Sequence, residues 1–501
     1  MNLYVMVNGM KKVLRSNKFR VILALLIIAA VAGISFYRTS STRLLDKQAY
    51  SEFRTALEEA GAPDKGGFES QSDLSAFIKQ WADDHSLEYT EDKYGNLIFD
   101  REAVSRKKNV TPTLVAVSMN YETAFDNSQV LASAASIALS DIDSGRRTVV
   151  FFNDEQALAR GYKGISKKLI GSKSKVIYLD KGASLYMSTG SFEQRISQIS
   201  VPASREDNTF DTAVRISISG ISSGMIGPAI GIQPDPISAM STLLTRLKSK
   251  SVEYRLADVS TGSNGNMYPV SMEVTIVLNS YNLSSFTGYI DKRIKAWEKA
   301  YSDDFPDLVY TYEVIDEEDA LPETVYSADT TDKLTGVLYT VKSGTYRYTK
   351  GDSIPEGKEE GDIYGINCLT ALDAGKNDIK VSVITQGVDD SFTERIMNDN
   401  KAGSELYGCK LRETESVPAF VNDRNSLSRT FMKTYKKVND DSSAESLLQT
   451  ETDSFFTPCP YLAQKNSKAD IIHIRTKGSK AAAIANTILC YMKTKGNTSI
   501  F

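Results

Sequence analysis

Histidine is nearly missing from this sequence: its 501 residues contain only His85 and His473. Histidine is the usual nitrogen ligand of zinc and the usual general base near neutral pH, so this chain has few ways to build either kind of site. His85 follows a predicted helix, and we interpret it as a surface or capping residue. His473 alternates with apolar residues in a predicted strand and is interpreted as a structural residue, although it could serve as a substitute ligand.

Cysteine is also scarce. The four cysteines lie far apart and form no Cys-x-x-Cys pair, which argues against a zinc knuckle and against a dense disulfide scaffold. The simplest interpretation is that they are small buried apolar residues. Pairing of Cys368 with Cys409, or of Cys459 with Cys490, stays open for a protein on the oxidising side of a membrane.

Beyond the N-terminal segment, residues of one charge sign do not cluster in the sequence. The net charge is −4, and acidic and basic residues alternate without forming a basic stripe. Nucleic acid is therefore not expected as a partner. A length of 501 residues predicts roughly two or three domains.

The first forty residues have the composition of a membrane-targeting element. Five basic residues lie between Lys11 and Arg20, and Val21–Tyr37 then contains no charge. A span of the bilayer needs about 17–25 apolar residues, whereas a signal-peptide core has about 7–15. We predict a single-pass signal anchor with a cytoplasmic N-terminus and an extracellular bulk. Cleavage near Ala30-Val31-Ala32, giving a secreted protein, is the alternative.

Polar residues follow two apolar strands in the middle of the chain. The predicted strand at residues 113–118 leads into Ser118-Met119-Asn120, a helix at residues 129–139 follows Asp126, and the strand at residues 148–152 leads into Asn153-Asp154-Glu155-Gln156. This βαβ pattern places polar side chains at the carboxyl ends of strands, where open α/β sheets carry their sites. A further strand ends at Asp180, after which the chain is polar until about residue 208.

In these residues the chain resembles the dinuclear-zinc metallopeptidases that include aminoacyl-histidine dipeptidases and carnosinases. The family's His-x-Asp falls on Ser118 to Asn120, its bridging Asp on Asp126, its Glu-Glu pair on Glu155-Gln156 and its later Asp on Asp180. The similarity covers most of the chain from about Leu44 onward. Four shorter segments also match in order: Gly220 to Gly227 with Met225 at a histidine position, Asn264 to Pro269, Gly365 to Leu369, and Val417 to Phe420.

The resemblance implies an α/β fold in which a peptidase-like domain carries an inserted lid. The peptidase-like domain would have a central mixed sheet flanked by helices, and the α+β lid would contain two β-α-β repeats. A homodimer formed through the lid is a further expectation from the resemblance. The predicted domains are a basic segment and transmembrane anchor (1–40), the first peptidase-like part (41–207), the lid (208–415) and the second peptidase-like part (416–501).

The resemblance also implies a damaged metal site. Asp126 and Asp180 keep metal-ligand positions, and Glu155 keeps the position of the catalytic base. Neutral side chains do not hold a divalent ion as carboxylates do, and serine supplies no imidazole, so no cofactor is expected. A calcium or magnesium site using the retained acids with Asn120 and Gln156 is the alternative to their being relics. The substituted ligand positions are Ser118, Asn120, Gln156 and Met225.

Three functional hypotheses follow from these residues. The first is a membrane-anchored, extracellular pseudo-peptidase that binds a peptide, a cell-envelope component or a protein partner. The second is an active metal-dependent dipeptidase or aminopeptidase-like hydrolase, with zinc in a rearranged site formed by Asp126, Glu155, Asp180 and His473. The third is a structural surface protein without a ligand.

Overall fold

The computed structural model describes most of the chain beyond the N-terminal segment. The predicted membrane anchor lies outside the described residues, as do Glu155, Gln156 and Met225. Within the described ranges, no helix combines the length and hydrophobicity that crossing a membrane requires. The described residues are 43–63, 66–103, 110–154, 160–172, 174–182, 184–221, 226, 230, 233–262, 268–315, 320–354, 358–422, 425–439, 447–450 and 457–495.

Helices and strands alternate along these residues. The helices are α1 Lys47–Ala60, α2 Gln71–Asp84, α3 Ser128–Leu139, α4 Arg160–Gly164, α5 Pro236–Ser249, α6 Leu283–Tyr301, α7 Ala328–Thr340, α8 Asp390–Glu405, α9 Ser426–Val438, α10 Cys459–Lys465 and α11 Gly478–Lys495. The strands are β1 Thr90–Glu91, β2 Leu97–Arg101, β3 Thr113–Met119, β4 Arg147–Asn153, β5 Lys175–Lys181, β6 Tyr186–Ser188, β7 Gly190–Ser191, β8 Glu193–Pro202, β9 Arg205–Asp207, β10 Thr212–Ser219, β11 Tyr254–Thr261, β12 Met272–Leu278, β13 Val309–Ile315, β14 Thr324–Tyr326, β15 Gly344–Arg347, β16 Ile363–Ala374, β17 Asp378–Gly387, β18 Lys410–Val417, β19 Phe420–Val421, β20 Leu448–Thr450 and β21 Asp470–Thr476.

The largest sheet has eight strands in the order β1-β2-β4-β3-β5-β21-β6-β20. Its centre, β4-β3-β5-β21, is parallel, while β2 joins β4 antiparallel and β6 joins β21 antiparallel. This arrangement confirms the predicted mixed α/β class with a central mixed sheet. A short hairpin leads into this sheet, because β1 and β2 pair antiparallel around a turn in which Gly95 has φ +80°.

Helices cover both faces of this sheet, which explains why its central strands are apolar along their whole length. Val115 and Val117 point into a core formed with α1, α2, α3, α9 and α11, whereas Leu114 and Ala116 point into a core formed with α4 and α10. Successive side chains of β3 thus point to opposite faces of the sheet and pack into two different cores. Helix α3 is rich in alanine and serine and is buried along nearly its entire length, which lets it approach the strands closely.

Two larger antiparallel sheets accompany the central sheet, besides the two-stranded pairs β14-β9 and β19-β7. A four-stranded sheet has the order β11-β12-β10-β13, and a five-stranded sheet has the order β15-β16-β17-β8-β18. The two sheets share one core with α5, α6 and α7. They are also joined directly where the Leu372 amide of β16 donates to the Thr261 hydroxyl of β11 at 3.0 Å.

Each of these sheets is built from a β-α-β-β-α-β unit. The first unit is β10-α5-β11-β12-α6-β13, and the second is β8-α7-β16-β17-α8-β18 with β15 added at its edge. The chain enters the second unit at β8, completes the first unit, and then returns. Two repeated units were expected from the sequence, but a strand at the position of β8 was not. The predicted domain limits stay predictions.

Strand β8 lies in the stretch between Asp180 and residue 208, which the sequence analysis described as polar and to which it assigned no strand. It lies between β17 and β18, with Gln194 and Ser197 buried. The Gln386 side-chain amide donates to the side-chain Oε1 of Gln194 at 2.7 Å. Hydrogen bonding of buried polar side chains therefore allows a strand that the apolar pattern alone does not indicate.

One ion pair links the five-stranded sheet to the helices behind the central sheet. Glu415 of β18 accepts a hydrogen bond from the Tyr461 hydroxyl of α10 at 2.5 Å and forms an ion pair with Lys163 of α4. The Lys163 ammonium group also lies 5.0 Å from the centre of the Tyr461 ring. These contacts fix the position of β18 beside α4 and α10.

Candidate functional site

The carboxyl ends of β3, β4, β5 and β21 meet at one edge of the central sheet. There the Ser118 hydroxyl donates to Asp154 Oδ2 at 2.8 Å, which joins the residue after β4 to the end of β3. Parallel pairing sets Asp180 of β5 directly opposite Arg475 of β21. The polar side chains that lie at this edge are those of Ser118, Asp154, Asp180 and Arg475.

Asn120, one of the substituted ligand positions, has a local structural role. Its side-chain amide donates to the Asp154 carbonyl oxygen at 3.1 Å, and its Oδ1 accepts from the Glu122 amide at 2.9 Å. The residue is buried and caps a short 3-10 turn at residues 121–123. Both polar ends of the side chain are thus engaged in holding two loops together.

Asp154 is a half-buried acid at the rim of this edge. Its pKa is raised from 3.8 to about 6, chiefly by burial and further by the negative charge of Asp180, while the hydrogen bond from the Ser118 hydroxyl opposes the increase. The carboxyl group of Asp154 consequently exchanges its proton near neutral pH. An acid with such a pKa at the end of a strand is a candidate for ligand contact.

Asp180 is buried but has three donors around it. Its Oδ1 accepts from the Lys181 amide at 2.8 Å, and its Oδ2 lies 3.4 Å from Arg475 Nη2 and 3.7 Å from His473 Nε2. Burial alone would raise the pKa of Asp180, but Arg475 and His473 outweigh burial and hold the pKa below its usual value. Asp180 is therefore ionised at neutral pH and depends on Arg475 for its counter-charge.

His473 lies in β21, as predicted, and contacts the site from inside the sheet. Its side chain is 2% exposed, and its ring centre lies 5.0 Å from that of Tyr178. Tyr162 of α4 lies behind Tyr178, and burial raises the pKa of both phenols well above their usual value, so they stay protonated. His473 thus joins an aromatic cluster and at the same time reaches the Asp180 carboxylate.

Asp126, the predicted bridging ligand, is a surface residue. Its side chain is 60% exposed, and its Oδ1 lies 3.6 Å from the Lys181 ammonium group. Lys181 follows Asp180 directly, and Asp126 and Asp180 each have a cationic neighbour, Lys181 and Arg475 respectively. The structure does not place Asp126 in the cluster of Asp154, Asp180, His473 and Arg475.

The described donors do not fit a metal centre. Among the residues that the structure describes, no group of three or more histidine, cysteine, aspartate or glutamate side chains could hold a metal ion. Ser118 and Asn120 are occupied with Asp154, and Asp180 faces a guanidinium group. Zinc sites need about four ligands at close range, a number that these side chains do not supply.

The sequence interpretation missed Asp154 and Arg475. Asp154 stands directly after a predicted strand, and that position was a usable signal. Arg475 follows His473 by two residues and therefore lies on the same face of β21, but only the pairing of β21 with β5 identifies Asp180 as its partner.

Comparisons with known proteins connect this geometry to a fold. No family model matches the chain, and no curated protein matches its sequence. The crystal structure of aminoacylhistidine dipeptidase from Vibrio alginolyticus aligns with 90% of this chain and 97% of its own, at a TM-score of 0.53 and 14% identity. The crystal structure of a tripeptidase from Staphylococcus aureus aligns with 91% of this chain and 100% of its own, at a TM-score of 0.47 and 9% sequence identity. The similarity to the dipeptidase shows a shared fold. The TM-score of the tripeptidase is too low to support a conclusion about this chain.

Proposed function

We propose that this chain, which has the fold of aminoacylhistidine dipeptidase, is a non-catalytic relative that binds a peptide at the carboxyl edge of its central sheet. The proposal also assigns it to the outer face of a membrane, with its N-terminal segment as the anchor. The basic residues before Val21–Tyr37 support that orientation.

The main support for the proposal is that positively charged side chains lie beside acids at the positions where the family has metal ligands. Arg475 lies beside Asp180, and Lys181 lies beside Asp126. Two unit charges 4 Å apart interact by about 4 kcal/mol at an effective dielectric constant of 20, and a divalent ion roughly doubles that value. A zinc ion brought to Asp180 would meet the repulsion of the guanidinium group. The retained acids are therefore neutralised in a way that opposes metal binding.

Peptide binding at this edge is supported by the remaining polar groups. Asp154 and Ser118 are only half-buried, so a ligand can reach them, while Asp180 and His473 stay inside. Asp154 has a serine hydroxyl and no cationic side chain among its described contacts. An ammonium group or an amide N–H of a peptide would supply the missing donor.

Zinc content is the first test of the proposal. The purified full chain in detergent, dialysed against trace zinc, is expected to contain well below one zinc ion per chain by elemental mass spectrometry, because the described donors do not form a ligand set. Chains with Asp126→Ala or Asp180→Ala serve as matched controls. One or two zinc ions in the native chain, lost in both variants, would refute the proposal.

That contrary result would favour the active hydrolase. The approach of His473 Nε2 to within 3.7 Å of Asp180 Oδ2 is the specific observation on its side, since a histidine and a carboxylate already lie together there. Release of histidine from alanyl-histidine by the zinc-loaded chain would then be the decisive measurement.

Peptide binding itself has a separate readout. We expect alanyl-histidine to raise the melting temperature of the full chain. A ligand that binds only the folded state, at a concentration of about 100 times its Kd, stabilises that state by roughly 2.7 kcal/mol. Free alanine is the matched control and should give a smaller shift. Absence of a shift with alanyl-histidine and with longer peptides would favour the structural protein without a ligand.

A further inference from the structure

Arg147 is a buried cation at the opposite end of the central sheet. It begins β4 and is 4% exposed, with Thr113 of β3 and Arg101 of β2 as its neighbours across the strands. Its Nη2 donates to the Ser140 carbonyl oxygen at the end of α3. Its Nε and Nη1 are buried and have no hydrogen-bond acceptor in the described part of the chain.

Among the residues that the structure describes, no carboxylate forms an ion pair with Arg147. Burial, as the largest cause, and the positive charge of Arg101 lower the pKa of Arg147, while Asp141 opposes both effects; the resulting pKa is about 10. Arg147 therefore remains protonated at neutral pH. Its neighbour Arg146 is already paired at the surface with Asp100. A buried cation that keeps two N–H groups without an acceptor carries a large desolvation cost.

A small cavity adjoins this residue. It has a volume of about 10 Å³ and is lined by Arg147 together with Thr111, Thr113, Ser144 and Gly145. A cavity of about 10–15 Å³ accommodates one particle of the size of a water molecule. Buried polar groups that lack a partner in the protein commonly contact an ordered water or ion.

We propose that the Arg147 cavity binds a small monovalent inorganic anion, with chloride as its occupant. A water molecule would satisfy one or two N–H groups but would leave the positive charge without compensation. Chloride accepts several hydrogen bonds and neutralises the guanidinium group at once. Sulfate and organic carboxylates are too large for a cavity of this volume. The bound anion would tie the start of β4 to the end of α3.

The test compares anions at constant ionic strength. The melting temperature of the full chain in sodium chloride is expected to exceed that in sodium gluconate by about 1–3 °C and to reach a plateau, as expected for one saturable site. Arg147→Gln should abolish the difference. Arg215→Gln is the matched control, because it removes the same charge from a surface residue paired with Glu313 in the four-stranded sheet, and it should keep the full chloride effect.

A direct measurement covers the case in which Arg147→Gln does not fold. Crystals of the native chain grown in sodium bromide should show an anomalous scattering peak within hydrogen-bonding distance of Arg147 Nε and Nη1. Equal melting temperatures in chloride and gluconate, or a cavity without the bromide peak, would overturn the proposal and assign a water molecule to the cavity.

Discussion

Replacement of Arg475 with methionine is expected to lower the free energy of unfolding by about 3–5 kcal/mol at pH 7.5, because it leaves the buried carboxylate of Asp180 without its cation. The Asp180 side chain is 9% exposed, and Arg475 Nη2 lies 3.4 Å from its Oδ2. Methionine keeps most of the side-chain volume, so the loss reports charge more than packing. Urea denaturation of the full chain measures it.

The pH dependence of this loss has a defined sign. The pKa of Asp180 is lowered in the folded protein, so its ionised form contributes stability above the pKa of the unfolded chain, about 4, and that stability is lost as the pH falls. Without Arg475 this contribution disappears. The difference between native and variant chains should therefore be fully present at neutral pH and should shrink below about pH 4, as the pH falls through the lowered pKa of Asp180.

Two control variants separate the ion pair from other effects. Asp180→Asn in the Arg475→Met background should recover much of the loss, since no buried charge remains. Lys181→Met removes the exposed pair with Asp126 and should cost less than about 1 kcal/mol. If Arg475→Met and Lys181→Met cost the same, Asp180 does not depend on Arg475, and the charge-replacement argument fails.

Replacement of Asp154 with asparagine should have the opposite effect and stabilise the folded chain at pH 7.5. Its pKa is raised from 3.8 to about 6 in the folded state, which corresponds to at most roughly 3 kcal/mol of destabilisation when the carboxyl group is ionised. Asp154 is only half-buried, so we expect a gain of about 1–2 kcal/mol. Asparagine keeps an oxygen that accepts from Ser118.

This gain should vanish in acid. A folded-state pKa above the unfolded value favours the native chain while the group is protonated, and that advantage is lost as the pH rises from about 4 to about 6. Asp154→Asn and the native chain should thus be about equally stable near pH 4, diverge between about pH 4 and pH 6, and keep a constant difference above pH 6. Asp126→Asn, an exposed residue, is the control and should show no such divergence. A destabilised Asp154→Asn chain at pH 7.5 would mean that a cation already neutralises the carboxylate.

Local sequence patterns were sufficient for the elements that build the site. The strands predicted at residues 113–118 and 148–152 are Thr113–Met119 and Arg147–Asn153, and the helix predicted at residues 129–139 is Ser128–Leu139. Each consists of residues that are apolar or small along a continuous run, so burial determines the element without help from distant residues. The position of Asp180 at the end of its strand was predicted for the same reason.

Pairings between distant segments could not be predicted in this way. The contact between Asp180 and Arg475 depends on the register of β5 with β21, which lie almost 300 residues apart. Strand β8 was missed because hydrogen bonds such as that between Gln194 and Gln386 stabilise its buried polar side chains. Both failures concern partners chosen by tertiary structure, which single-sequence periodicity does not contain.

The cations beside Asp180 and Asp126 also bear on how a metal site could arise in this chain by mutation. Mutations that return histidine to position 118 and aspartate to position 120 would add ligands, but Arg475 and Lys181 would still occupy the electrostatic place of the metal ions. Removal of Arg475 first would leave a buried charge and an unstable intermediate. If the proposed non-catalytic function holds, a metal site could form here only after several changes, and the first of them would cost stability.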